Sequence, residues 1–295
     1  MSAPSLSIVM TYFERSRQLR NTLYSFKWHG YGKDVEVVVV DDGSCTEPAA
    51  PPSFAFDFSL RILRIPPEEK WYKNACVPFN RGFQAAMGKV VLIQNAECLH
   101  YTNVVAHALE HVTDENYLSY ACNSLDAAAT SSLAQEMTAE SFWREFPFSR
   151  EKPTGDGANG WYNHALINPV GYHFCAGITS ENLHRLGGFD ERYARGVAFD
   201  DNEMLHRIKG LPLEVKVVDE AIVLHQFHYT RELLDARSGD YYERNKLLYK
   251  YFTLRGRTTF GYFQFWMMFN IFSRRKFRRF LSKVKRLLLG KLLGR

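Results

Sequence analysis

Four short stretches of this 295-residue chain hold side chains able to bind a cation, hold a hydroxyl or take a proton. In VVVVDDGS, Asp41 and Asp42 follow four valines and precede Gly43-Ser44. Carboxylates at a buried strand end are costly to desolvate unless hydrogen bonds match them. Such a pair accepts from a base N–H or a ribose hydroxyl, or it shapes its own loop as an Asx-turn. In VVLIQNAE, an apolar run stops at Gln94-Asn95-Ala96-Glu97. Mg2+ and Mn2+ prefer oxygen ligands, so Glu97 and the Asn95 amide oxygen suit such an ion. The same cluster also reads as a plain strand-end turn. In FDDNEM, Asp200 and Asp201 open a helix, where the helix dipole favours anions. One suffices as a cap, which leaves the other as a base. In VLHQFHY, His225 and His228 end a late strand, as structural residues or as metal ligands.

The elements that must position these groups follow from periodicity. Ser5 to Met10 is apolar enough for a strand, and Leu19, Leu23 and Phe26 then fall at helical spacing ahead of Gly30. The valine run of VEVVVVD marks a strand buried on both faces. Strand, helix, strand is a βαβ unit with a parallel sheet. LRILRIP is a third strand, PFNRGFQAAMG a helix closed by Gly88, and KVVLIQ a fourth strand. Further on, Asn103 to His111 reads as helix, NYLSYACN as strand, and AATSSLAQEMTAESFWREF as one helix. REKPTGDGANGWYNH is a long polar loop of the kind that binds ligands. YHFCAGITS is a strand, SENLHRLGG a short helix with Ser180 as its cap, and FDDNEMLHRIKG a helix capped by its aspartates and ended by Gly210. LEVKVVD and AIVLHQFHY are two more strands.

Composition narrows the class. Hydrophobic residues make up 46% of the chain and aromatics 15%, enough for a real core. Five scattered cysteines (Cys45, Cys76, Cys98, Cys122, Cys175) show no CxxC spacing and read as free thiols in a reducing compartment. The first residues do not read as a signal peptide, and no apolar run reaches membrane-spanning length. Net charge is +5, but from Arg255 onward there are 12 Lys+Arg and no acid, leaving 25 basic against 32 acidic residues before it. In that last stretch Phe277, Phe280, Leu281, Val284, Leu287 and Leu288 share a stripe opposite the cations, a basic amphipathic helix.

The order of these motifs is more specific than any one of them. From Ser5 to Tyr229, with VVVVDDGS and GGFDERY…FDDNEM as its most specific parts, the sequence resembles the inverting nucleotide-sugar glycosyltransferases of family 2. Phe174 to His228 also resembles the C-terminal half of galactosyltransferase and polypeptide N-acetylgalactosaminyltransferase catalytic domains. The resemblance implies an α/β GT-A fold, an open mixed sheet flanked by helices, over residues 1–230. The nucleotide-sugar half is then 1–100 and the acceptor half 101–230, with a helical extension and basic tail over 231–295.

The resemblance also implies roles. Asp41 and Asp42 match the aspartates that hold the donor's uracil and ribose. TYFER resembles the first nucleotide-contacting loop and brings Thr11, Tyr12 and Glu14. Asn80 and Arg81 fall at an Asn-x-Gly helix start, with Arg81 toward the base or diphosphate. Asn95-Ala96-Glu97 stands where the family has Asp-x-Asp, which holds a divalent ion, Mn2+ or Mg2+; here its first position is a neutral amide. His225 best matches the late metal histidine, with His228 the alternative. Asp200-Asp201 stands for Glu-Asp, making Asp201 the general base and Asp200 its substrate-binding neighbour. Trp161 and Tyr162 either stack on a sugar or anchor their loop.

The implied partners are a nucleoside-diphosphate sugar, most simply a UDP-sugar, and a glycan or lipid-linked glycan acceptor. The basic tail adds an anionic membrane surface, hence a cytoplasmic protein peripheral on the inner face. No nucleic-acid module is present. A non-catalytic binding protein on the same fold would not need Asp201, Glu97 and His225 together. A dinucleotide enzyme would want GxGxxG after the first strand, where TYFERSR stands.

Overall fold

The computed structural model describes residues 3–153, 157–228 and 239–254. The N-terminal part alternates strand and helix: β1 (Leu6–Tyr12), α1 (Ser16–Trp28), β2 (Val35–Asp41), β3 (Ser59–Arg64), α2 (Cys76–Ala85) and β4 (Val90–Asn95). Then come β5 (Cys98–His100), α3 (Val104–His111), β6 (Asn116–Ser124), α4 (Ala127–Glu136), α5 (Glu140–Glu145), β7 (Trp161–Asn163) and β8 (Cys175–Thr179). The described chain ends with α6 (Ser180–Leu186), α7 (Asp200–Ile208), β9 (Glu214–His225) and α8 (Asp240–Leu254).

The valine run explains the centre of the fold. All seven residues of β2 are buried. Val37 and Val39 pack with Leu19, Leu23 and Phe26 of α1, while Val38 and Val40 pack with Phe79 and Phe83 of α2. Alternate side chains of one strand therefore serve two cores, one on each face. Glu36, the second residue of the same strand, accepts from the Ser7 hydroxyl at 2.7 Å and the Met87 N–H at 3.0 Å, and the Arg61 guanidinium lies 3.1 Å from its other oxygen.

Strand order is β3-β2-β1-β4-β8-β6-β9-β5, with β7 beside β6. β1 to β4 are mutually parallel, β8 runs against β4 and β6, β6 and β9 are parallel, and β5 runs against β9. This is the open mixed sheet flanked by helices that the sequence leads one to expect. Its registers gather the strand ends. Tyr12 pairs with Asp41, Thr11 with Asn95, Gln94 with Cys175, Ser124 with His225, and Cys98 with His225. The carboxyl ends of β1, β2, β4, β6 and β9 thus share one edge with the starts of β5 and β8.

Some elements differ from the sequence reading. LEVKVVD and AIVLHQFHY form the single strand β9. Val218 and Ile222 pair with consecutive residues of β6, so the polar stretch between them is absorbed as a bulge. The helix expected over AATSSLAQEMTAESFWREF divides into α4 and α5, where the Trp143 indole donates to the Met137 carbonyl at 3.0 Å. Thr179, one residue before Ser180, caps α6 by accepting from Asn182 N. The aspartates of FDDNEM are the first residues of α7, not its caps.

The chain divides into two compact units, Met1–Asn245 and Lys246–Arg295, and the first holds the sheet. The basic amphipathic helix lies outside the described residues. Among those described, no helix is long and apolar enough to cross a membrane.

One turn fixes the approach to the site. Asn80 of α2 donates to the Phe189 carbonyl at 2.9 Å and accepts from the Phe189 N–H at 2.8 Å. Gly188, just before it, has φ +69°, and a Cβ there would lie 2.4 Å from Asn80 Oδ1. Gly188→Ala combines a left-handed backbone with that overlap, so it should destabilise the protein by about 2 kcal/mol. Chemical denaturation of the two proteins checks this.

Candidate functional site

Ala96 and Glu97 alone connect β4 to β5, and this tight turn sets the first part of the site. Pairing of Cys98 with His225 brings Glu97 beside the end of β9. The carboxylate is 5% exposed. Its Oε1 lies 3.0 Å from His228 Nε2, 3.6 Å from His225 Nε2 and 3.1 Å from Arg15 Nη1. Burial alone would raise the Glu97 pKa, but Arg15, His228 and His225 outweigh it and hold the carboxyl well below its usual range. Burial pushes His225 down to about 3 against the pull of Glu97. Ligand atoms of Glu97, His225 and His228 all lie within 4.8 Å of one another. One carboxylate and two imidazoles fit a first-row divalent ion such as Mn2+ better than the all-oxygen preference of Mg2+.

The polar cluster Gln94-Asn95-Ala96-Glu97 divides between faces. Gln94 is still strand and turns into the core, donating to the Cys98 carbonyl at 2.6 Å and meeting His100 Nε2 at 2.6 Å. Asn95, on the opposite face by strand alternation, is half-buried at the end of β4. His228 lies beside His225 at the Glu97 carboxylate.

Several residues of the expected nucleotide side fasten the loop after β2. Asp41 is buried and accepts from Ser44 N at 3.0 Å and Ala49 N at 2.9 Å, the Asx-turn role. Glu14, at φ 48°, accepts from the N–H groups of Cys45, Thr46 and Glu47, and Tyr12 donates its hydroxyl to the Glu47 carbonyl. Thr11 is half-buried beside them. Arg81 forms an exposed ion pair with Glu69 at 3.2 Å. Asp42 accepts from Lys70 Nζ at 2.7 Å and from the Tyr72 hydroxyl at 2.6 Å. Burial raises the pKa of Asp42 against these two donors.

Lys70 and Tyr72 belong to a strap, Lys70–Asn74, that runs from Asp42 to the second pair of aspartates. The Lys73 and Asn74 N–H groups donate to the Ala194 carbonyl at 2.8 and 3.1 Å. The Asn74 side chain donates to Asp200 Oδ1 at 2.8 Å. Ala198 and Phe199, which enter α7, both have positive φ, +60° and +65°. Two consecutive non-glycine residues in this region are strained, and such strain clusters at functional sites. Asn245 holds the turn by donating to the Tyr193 and Ala198 carbonyls at 3.0 and 2.8 Å.

Beyond this turn Asp200 is buried, whereas the Asp201 side chain is 37% exposed and lies 3.5 Å from His173 Nε2. Burial, then the charge of Asp201, pushes Asp200 up to about 7. Burial pushes His173 down to about 4, which leaves it neutral at physiological pH. The environments thus differ for two adjacent carboxyls, one buried with its pKa raised and one partly exposed.

This pair gives stability a pH dependence. A carboxyl with a raised folded-state pKa contributes most below its ordinary pKa and loses that contribution as pH rises toward about 7. Asn cannot ionise. The stability of Asp200→Asn relative to the parent should therefore grow by about 1.4 kcal/mol per pH unit between pH 5 and 7 and level off above. Urea midpoints at pH 5, 6, 7 and 8 check the slope.

The aromatic pair of the polar loop separates. Tyr162 is buried against His225 and Phe174, with ring centroids 4.8 and 4.9 Å apart. Trp161 is half-buried between Phe148 and His164. Sequence reasoning missed Arg15, Lys70, Tyr72, Asn74 and His173. Their only signal was a polar type next to a motif, with no spacing of its own.

The match to the family described as Glycosyl transferase family 2 covers residues 7–174, more than half of the chain. Among curated proteins, none matches this chain. Among solved structures, the mannosyltransferase PcManGT from Pyrobaculum calidifontis, in complex with GDP-Man and Mn2+, is similar in fold. The identity is 13% and the TM-score 0.51, over 90% of this chain and 68% of that one. TarS from S. aureus gives 14% identity and a TM-score of 0.49, over 92% of this chain and 44% of that one. Its fragment 1-349 in complex with UDP-GlcNAc gives 12% and 0.47, over 78% and 60%. With its GT-A fold, the chain belongs to glycosyl transferase family 2.

Proposed function

We propose that this protein moves a sugar from a nucleoside-diphosphate sugar, most simply a UDP-sugar, to a hydroxyl of a glycan or lipid-linked glycan with inversion. The observation that carries the reading is the split pair at the start of α7: buried, raised Asp200 held by Asn74, and exposed Asp201. Asp201 takes the proton of the acceptor hydroxyl. That oxygen's electron pair forms the new bond to the anomeric carbon, while the bond from that carbon to the diphosphate breaks on the opposite face. The nucleoside diphosphate leaves with the electron pair, and one displacement inverts the centre.

Glu97, His225 and His228 would hold the divalent ion, with Asn95 close by in sequence. Bound there, Mn2+ or Mg2+ supplies Lewis-acid stabilisation of the departing diphosphate. Asp42 faces the donor, oriented by Lys70 and Tyr72, while Asp41, Tyr12 and Glu14 shape the loop around it. Thr11 and Arg81 flank the nucleotide, and Trp161 borders the sugar. The tail's 12 cations without an acid would hold the protein on an anionic membrane surface.

The test is a donor screen scoring nucleoside diphosphate release with Mn2+, Mg2+ or EDTA, with the product anomer read by NMR. Release from a nucleotide sugar with an inverted product supports the reading. A retained anomer sinks the single displacement, and silence with every nucleotide sugar sinks the transfer.

A further inference from the structure

The strap Lys70–Asn74 has a second face. Its residues alternate. Lys70, Tyr72 and Asn74 turn inward to Asp42 and Asp200, and Trp71 and Lys73 turn out to solvent. Trp71 is 57% exposed and carries the Arg195 guanidinium 5.7 Å from its ring centroid. Tyr241 is 49% exposed and carries Lys73 Nζ 4.6 Å from its ring centroid. Trp71 and Lys73 therefore stand on the segment that reaches Asp200, with Arg195 over the Trp71 ring and Lys73 over the Tyr241 ring of α8.

Among the described residues, neither Lys73 nor Arg195 has a carboxylate within ion-pair distance. Arg244 adds a third cation close enough that Arg195, after burial, lowers its pKa. Like charges gathered together favour an anion, and arginine matches phosphate and carboxylate bidentately. The exposed rings suit the apolar face of a pyranose.

We infer that Trp71, Lys73, Arg195 and Tyr241 form an acceptor subsite for a saccharide that carries a phosphate or a carboxylate. This rests on the transfer reading for its role, and it deepens it by naming the acceptor's charge. The ring of Trp71 takes the sugar face, and Arg195 and Lys73 take the anion. Ring and cations are thereby held at the strap that positions Asp200, so the anionic group orients the acceptor toward the neighbouring Asp201.

The test compares glucose, glucose 6-phosphate, glucuronate and inorganic phosphate as probes on the full chain. Dissociation constants come from tryptophan fluorescence and saturation-transfer NMR. We expect both charged sugars to bind at least tenfold tighter than glucose. K73Q/R195Q should erase that preference, and Trp71→Ala should weaken both charged sugars but not inorganic phosphate. A stronger response to glucose 6-phosphate or to glucuronate tells phosphate from carboxylate. Equal binding of charged and neutral sugars overturns the inference, as does a preference that survives K73Q/R195Q. Inorganic phosphate matching glucose 6-phosphate, with Trp71→Ala silent, leaves a bare anion site and also overturns it. Displacement of the charged sugars by UDP would assign the cations to the donor and does the same. Nucleoside diphosphate release into water, measured with no saccharide added, tests the transfer reading separately.

Discussion

Asp201→Asn should lower kcat by about 10²- to 10⁴-fold, the usual contribution of a positioned general base, and leave donor affinity within about twofold. Asn keeps the shape and the hydrogen-bonding reach of the side chain but cannot accept a proton. The substitution therefore removes a step without emptying the site. Asp201 is the partly exposed member of the pair, and its charge is one cause of the raised pKa of Asp200. Burial holds His173, 3.5 Å away, neutral at physiological pH. Single-turnover rates and nucleotide affinity, measured on both proteins, separate chemistry from binding. An Asp201→Asn enzyme with an unchanged rate would remove it as the base. A second signature comes from Asp200: its ionisation near pH 7 puts another negative charge beside Asp201, the proposed base. The parent's pH–rate profile should bend there, and that bend should vanish in Asp200→Asn.

How far the sequence carried depends on which physical signal each residue sends. The run of four consecutive valines in β2 is unambiguous because it suits a strand buried on both faces, and the two cores on either side bear this out. Asp41, Glu97, Asp201 and His225 could be singled out because each follows or opens such an element. Their partners send no signal of that kind. Lys70, Tyr72 and Asn74 lie in a connection with no period, and only the folded chain shows that they tie Asp42 to Asp200. His173 reads as an ordinary residue of the strand YHFCAGITS, whereas β8 begins only at Cys175. The polar run after β4 misleads for a different reason. Consecutive strand residues face opposite ways, so Gln94 and Asn95 do not act together although they are adjacent. β9 reads as two strands because Asp219 and Glu220 break the apolar pattern, and a bulge repairs the pairing that composition alone interrupts.

Arg15 is the sharpest omission, and it makes the proposed metal site testable by opposite signs. Its guanidinium lies 3.1 Å from Glu97 Oε1, the same oxygen that faces His225 and His228. A divalent ion held by this carboxylate and the two imidazoles must share that oxygen with a fixed positive charge. Removing the carboxylate takes away the negative ligand, so Glu97→Gln should weaken Mn2+ binding by at least about 100-fold, beyond the loss that follows from disturbing an outer partner alone. Removing the competitor should do the reverse. Arg15→Gln is expected to tighten Mn2+ by about tenfold, since like charges this close in a half-buried site repel by more than 1 kcal/mol. Electron paramagnetic resonance of free Mn2+, titrated without donor, reads both affinities directly and does not depend on turnover. Glu97→Gln without effect would move the metal elsewhere. Glu97→Gln weakened together with Arg15→Gln weakened would keep the metal at Glu97 but make Arg15 its support, a guanidinium that holds the carboxylate in place. Only opposite signs identify Arg15 as the cation that the metal must displace, and so as the group freed to meet the diphosphate when both arrive.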